Sequence, residues 1–251
     1  MKIIAIGGGH IGETIGGKRY PPDSATIYKE IVAISNKKHP TILFVSTAST
    51  DSEGYCKIIS QYFKKFGCAT TTLKLITEKP SIAKIKERIS KADIIYVGGG
   101  NTLKMMNVWR AYGFDKLIID AGKKGKILSG ISAGAICWFR QGSSDSRKFT
   151  NKNAALIKVR GLNLYDLLYC PHYDAEADRR PQLKKMMKKT RGVAIACENC
   201  CALEIINNTY RIITPKKNAN AYKCYWNKGK YYEEKISKTK IYNPLQDLLC
   251  K

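Results

Sequence analysis

The amino-acid sequence predicts an α/β protein: a three-layer sandwich in which a mostly parallel β-sheet is covered by helices on both faces. Three observations carry this reading. Short apolar runs alternate with helix-period segments through the first half of the chain. Several of those runs end in glycine-rich loops rather than tight hairpin turns, as parallel strands do. The chain has 251 residues, enough to bury one large core, so residues 1–251 are read as a single domain.

The strand-like runs are KIIAIGG (2–8), TILFVST (41–47), TTLKLI (71–76), ADIIYVGG (92–99), KILSGIS (126–132), LLYCPHY (167–173), GVAIACE (192–198) and CALEIIN (201–207). Helix-period segments cover 23–37, 54–66, 82–91 and 102–123. The tail differs. Residues 222–236, YKCYWNKGKYYEEKI, alternate and turn at 227–229, which predicts a β-hairpin at a sheet edge. No internal repeat or low-complexity linker marks a second domain.

Composition narrows the function classes. A hydrophobic fraction of 44% argues against disorder. No apolar stretch reaches the length needed to span a bilayer. The start, MKIIAIGGGHIG, reads as a first strand and not as a signal peptide. Nine cysteines without an export signal predict free thiols in the cytoplasm. The cluster CENCC (197–201), with Cys170 and His172, offers metal-ligand residue types. No second C-x-x-C pair accompanies it, so it is read as buried small side chains, with no metal. The formal charge of +24 raises the prospect of an acidic partner. Its lysines are spread along the whole chain, however, and the densest run, LKKMMKKTR (183–191), fits one solvated helix face. Nucleic acid is therefore not an expected partner.

Three glycine-rich stretches follow strand-like runs. GGGHIG fits a dinucleotide fingerprint, but Tyr20-Pro21-Pro22 prevents a helix from starting promptly behind it. The loop Gly98-Gly99-Gly100-Asn101-Thr102 exposes backbone N–H groups where an anion or a developing oxyanion can sit. Gly130-Ile131-Ser132-Ala133-Gly134 matches G-x-S-x-G between a buried strand and the apolar helix AGAICWF. In such a nucleophile elbow the serine occupies strained backbone, its flanking glycines let the turn close, and the Ala133 N–H faces outward.

A serine nucleophile needs a base. The chain offers His10, His39 and His172. His39 precedes a strand, at the wrong end of the sheet. His10 lies in the first glycine loop, at the correct end. His172 closes LLYCPHY at a strand's carboxyl end and is the expected base. The acid that orients it is expected to be Glu198, at the end of VAIACE, with Asp145 as the alternative. Cys137 is a rival nucleophile, but it sits five residues past the turn.

In this order, GGGNT (98–102), GISAGAICW (130–138), CPHYDAEADRRP (170–181) and IACENCCALEI (195–205) resemble the peptidase E-like serine hydrolases. This is peptidase family S51, the dipeptidase E and cyanophycinase group. The resemblance spans nearly the whole chain and implies a flavodoxin-like sheet of the class I glutamine amidotransferase type. It implies a Ser132–His172–acid site, an oxyanion hole from Gly99, Gly100 and Ala133, and no cofactor. The implied substrates are small peptides, with dipeptides beginning in aspartate as candidates. Arg179 and Arg180, together with Asn101, are then the expected substrate contacts, because a guanidinium suits a carboxylate. The structural alternative is that the arginines pair with Asp174, Glu176 or Asp178. A monomer or homodimer is expected. Two other function classes remain open: an inactive binding protein on the same fold, and a basic nucleic-acid-associated protein.

Overall fold

A computed structural model of the chain describes residues 1–175 and 177–250. Chain order begins β1 (Lys2–Ile6), β2 (Thr14–Ile15), β3 (Lys18–Arg19), α1 (Ala25–Ala33), β4 (Thr41–Val45), α2 (Glu53–Lys64), β5 (Ala69–Leu73), α3 (Ile82–Lys91) and β6 (Ile94–Val97). It continues α4 (Thr102–Tyr112), α5 (Phe114–Lys123), β7 (Ile127–Ile131), α6 (Ala133–Ile136), β8 (Phe139–Ser144), β9 (Ile157–Arg160), β10 (Tyr165–Cys170) and α7 (Arg179–Met187). The last elements are β11 (Ala194–Cys197), β12 (Ala202–Ile206), β13 (Thr209–Ile213), β14 (Ala221–Asn227), β15 (Lys230–Lys235), β16 (Asn243–Pro244) and α8 (Gln246–Leu249).

The α/β class holds, but the predicted strands are shared between two sheets. The first runs β16-β13-β12-β1-β7-β6-β4-β5, and β1, β7, β6, β4 and β5 are parallel. The second runs β15-β14-β11-β10-β8-β9, with the expected hairpin β14–β15 at its edge. Parallel β-strands buried on both faces read as unbroken apolar runs, and β6 (IIYV) is buried at every position.

Alternate side chains of the first sheet feed two cores. Ile4, Ile6, Phe44 and Tyr96 pack on Ile27, Tyr28, Ile59 and Phe63 of α1 and α2. Ile3, Leu43, Ile95 and Val97 face Ile85, Trp109, Phe114 and Ile118 of α3, α4 and α5, together with Tyr169 and Ile195 of the second sheet. Tyr169 ties the sheets directly: its buried hydroxyl donates to Ala5 O at 2.9 Å. Each fully buried Ile or Phe contributes about 1.5–3 kcal/mol, so these interfaces dominate stability. The outer face of the second sheet is covered by Leu183 and Met187 of α7.

Local signals set the helix ends. Ser52 and Ser81 accept N-cap hydrogen bonds from Tyr55 N and Lys84 N. The single segment expected over 102–123 is two helices, because Gly113 adopts φ 66° and breaks it. The apolar helix expected after Ser132 lasts one turn. The carbonyls of Cys137, Trp138 and Phe139 accept instead from Leu162, Leu164 and Asn163 N–H groups, which draws the chain into β8. That early exit carries the chain from the first sheet to the second. A second crossing occurs between β11 and β12, through residues 198–201.

Among the described residues no helix is long and apolar enough to cross a membrane.

Candidate active site

These two of the chain's sheet crossings occur at the carboxyl end of β1. Ser132 follows β7 with φ 55° and ψ −112°, a conformation L-residues avoid. Its N–H donates to Ile6 O at 3.1 Å, while Ala135 and Ile136 N–H groups bond the Ser132 carbonyl. The flanking glycines are sterically required. A Cβ on Gly130 would lie 2.4 Å from Gly134 O, and one on Gly134 would lie 2.1 Å from Val97 O.

The loop after β6 packs against this turn. A Cβ on Gly99 would meet Ser132 Cβ at 3.5 Å. Gly100 has φ 136°, and a Cβ there would lie 2.2 Å from Ala48 O. Gly99 N–H donates weakly to Tyr55 OH at 3.4 Å. Burial raises the Tyr55 pKa to about 12, so that hydroxyl keeps its own proton. Gly100 N–H and Ala133 N–H have no hydrogen-bond acceptor among the described residues. Gly99 thus packs against Ser132, with Gly100 next to it in the loop and Ala133 next to the serine in the chain.

His172 leaves β10 through Pro171 and also has positive φ, 53°. Its N–H donates to Gly7 O at 3.0 Å, and the next N–H, of Tyr173, reaches Cys197 O at 3.1 Å. Its ring Nδ1 lies 2.8 Å from Asn199 Oδ1. With the amide oxygen as acceptor, Nδ1 carries the proton and Nε2 keeps its lone pair. Asn199 is in turn held by Asp174, whose Oδ1 accepts from Asn199 N at 2.7 Å.

The first glycine loop is the floor of this pair. A Cβ on Gly8 would lie 1.9 Å from Asn199 Oδ1 and 2.5 Å from His172 Nδ1. Cys200 N–H donates to Gly8 O, and Gly7 N–H to Cys201 O, both at 2.8 Å. The glycines of GGGHIG therefore admit protein groups, not a pyrophosphate.

The other expected residues fall as follows. The Glu198 carboxylate accepts from Asn220 N (2.8 Å), Asn220 Nδ2 (3.2 Å), Tyr222 OH (3.1 Å) and Arg180 Nη2 (3.1 Å). Asp145 stands 3.8 Å from Arg179 Nη2. Arg179 is 1% exposed, and its Nη1 donates to Ser143 O. Arg180 is also paired closely with Glu233 and lies over the adjoining rings of Tyr173 and Tyr222, at 4.4 and 4.7 Å. Asn101 caps α4, with Oδ1 accepting from Lys104 N and Nδ2 donating to Ser146 O. Asp178 engages Lys148 and Gln182, and Glu176 lies outside the described residues. His10 stacks on Tyr20 at 4.0 Å and bonds Glu13 at 2.6 Å. His39 is remote, against Gly67 O. The Cys137 thiol is fully buried and donates to Gly134 O, and burial pushes its pKa well above the ordinary value. The thiols of Cys170, Cys197, Cys200 and Cys201 are buried and unbridged, and no metal-binding cluster occurs among the described residues.

Asn199 and Tyr55 lie at this site without being expected there from the sequence. Asn199 had a legible signal, since it follows a strand's carboxyl end beside Glu198. Tyr55 had none, because its part comes from how α2 packs against Gly98 and Gly99.

The chain matches the model of peptidase family S51 over residues 3–213. It is 34% identical over 224 residues to a Bacillus subtilis (strain 168) protein named uncharacterized peptidase YgaJ, covering 88% of this chain and 91% of that protein. A Listeria monocytogenes serovar 1/2a protein named uncharacterized peptidase Lmo0363 is 31% identical over 159 residues, 59% of this chain and 75% of that one. Among solved structures, a peptidase from an acI-B1 Actinobacterium aligns with a TM-score of 0.70 at 17% identity, over 97% of this chain and 96% of that chain. That last likeness shows the fold.

Proposed function

The chain belongs to peptidase family S51, and on that premise we propose that it is a serine peptidase of small peptides, acting through a covalent acyl-enzyme. The observation that carries this reading is the left-handed Ser132 at the end of a buried strand, with Gly99 of the glycine loop packed against its Cβ.

Ser132 Oγ attacks the peptide carbonyl while His172 Nε2 takes the hydroxyl proton. Asn199 Oδ1 keeps the Nδ1 proton in place, which leaves the lone pair on Nε2. An amide serves this orienting role in Cys-His-Asn peptidases. The Gly100 and Ala133 N–H groups hold the tetrahedral oxyanion. His172 then protonates the leaving amine, and water, deprotonated by the same nitrogen, releases the acyl group. Glu198 supports the site from one residue away. Its carboxylate organises Asn220, Tyr222 and Arg180 around the turn that carries Asn199.

Hydrolysis of a mixed dipeptide pool by the parent protein and by Ser132→Ala tests this. The parent should release free amino acids, and the variant should be slower by about 10⁴-fold or more. Equal rates would remove Ser132 from the chemistry.

A further inference from the structure

A cavity of about 330 Å³ adjoins the Ser132 turn. Two contacts place it there. Ile131, the residue before Ser132, lines it. So does Tyr55, whose hydroxyl accepts from the N–H of Gly99, the glycine packed against Ser132 Cβ. Its walls are the rings of Tyr28 and Tyr55 and the side chains of Ile58 and Ile131. The Tyr28 hydroxyl is turned away into a 2.6 Å bond with Tyr96 OH, so that ring offers its apolar part.

Of the polar groups at this cavity, His10 and Glu13 are paired with each other, and the Tyr55 hydroxyl accepts from Gly99 N–H. Glu13 accepts from His10 Nδ1 at 2.6 Å and from Ile11 N at 2.7 Å. Its carboxylate marks the rim with negative charge and offers no donor to an anion. A second hollow shares Ile11, Glu13 and Ile58 and continues outward past Gln61 and Lys65, and Lys65 is not part of the inner cavity's lining. An apolar pocket with an acidic rim accepts a large hydrophobic side chain and rejects a carboxylate. The cations nearer His172 do not reverse this preference. Arg179 is buried behind Ser143 and Asp145, and Arg180 is held by Glu198 and Glu233.

We infer that this cavity is the specificity pocket for the residue whose carbonyl Ser132 attacks, and that it selects large apolar or aromatic side chains over acidic ones. The inference rests on the serine-peptidase reading above.

Steady-state hydrolysis of dipeptides beginning in Phe, Leu, Ala or Asp tests it, alongside labelling of Ser132 by a fluorophosphonate. Phe- and Leu-first peptides should exceed Asp-first ones by at least about tenfold in kcat/KM, the scale on which a hydrophobic pocket discriminates. Ile58→Trp, which fills the cavity, should raise KM for Phe-first peptides about tenfold and leave Ala-first peptides within about twofold. Ile58→Ala should leave the Phe preference in place and relax the limit on size. Labelling at the parent rate reports that each variant is folded. A labelled enzyme that prefers Asp-first peptides, cleaves no apolar-first peptide, or keeps its Phe-first KM in Ile58→Trp overturns the pocket assignment alone. A protein that neither labels nor hydrolyses overturns the serine-peptidase reading beneath it.

Discussion

Ser132 and His172 hang from consecutive carbonyls of one strand end: Ser132 N–H donates to Ile6 O at 3.1 Å and His172 N–H to Gly7 O at 3.0 Å. Both have left-handed φ, 55° and 53°, on residues with side chains. Such backbone costs of order 1–3 kcal/mol per residue and persists only where the surroundings enforce it. Here the enforcement comes from β1, whose end is shared by two sheet crossings. One crossing carries Ser132, and the other carries Asn199, whose amide oxygen meets His172 Nδ1.

The floor of the His172–Asn199 pair has no room for a methyl group. Gly8→Ala places a Cβ within 2.5 Å of His172 Nδ1 and closer still to Asn199 Oδ1. Peptide hydrolysis should fall at least about a hundredfold as the imidazole is displaced. Far-UV circular dichroism should stay close to the parent spectrum, because the clash is confined to the loop.

Asn199→Ala removes the acceptor for Nδ1–H. Losing this half-buried hydrogen bond loosens the imidazole's orientation and should lower kcat/KM by roughly tenfold, about 1.4 kcal/mol. Asn199→Asp keeps an acceptor there and should retain more activity than the alanine variant. An alanine variant as active as the parent would show that Asn199 does not orient the base.

Gly134→Ala should destabilise the whole fold, not just the site. Its Cβ would sit 2.1 Å from Val97 O, against the buried end of β6, which cannot shift cheaply. Overpacking of this kind costs about 1–3 kcal/mol. The check is a urea midpoint lowered without a change in slope.

The loop carrying His10 depends on Asp23, which accepts from His10 N at 2.7 Å and pairs with Lys216 at 2.8 Å. Burial pulls the Asp23 carboxyl upward, but the Lys216 ammonium and the His10 N–H outweigh it and hold the pKa below the ordinary 3.8. A carboxylate held low stabilises the fold above its unfolded value, and that contribution disappears as pH falls through the native value. Asp23→Asn should therefore be less stable than the parent near neutral pH. The difference should shrink progressively below 3.8, as read from urea unfolding at several pH values.

What the sequence disclosed and what it hid divide along physical lines. The strand–turn at Ser132 is legible because its constraint is local: Gly130 and Gly134 are each forced by contacts within or beside the motif. The carboxyl-end placement of Gly98–Gly100 and His172 is legible for a similar reason, since a buried apolar run announces where it stops. Asn199 acquires its part only because β11 and β12, neighbours in sequence, belong to different sheets. No periodicity encodes that division. The one-turn α6 is equally non-local, because Leu162 and Leu164, more than twenty residues on, take the carbonyls that would have extended it. Glu198 looks like a free acid in sequence, yet its oxygens serve Asn220, Tyr222 and Arg180.

The most direct test of the Ser132–His172 pairing is the site of covalent capture by a fluorophosphonate, mapped by peptide mass spectrometry in the parent and in His172→Ala. A single adduct on Ser132 should form rapidly in the parent and at least about a thousandfold more slowly in the variant. An adduct on another residue, or labelling of Ser132 at the same rate without His172, would contradict that pairing.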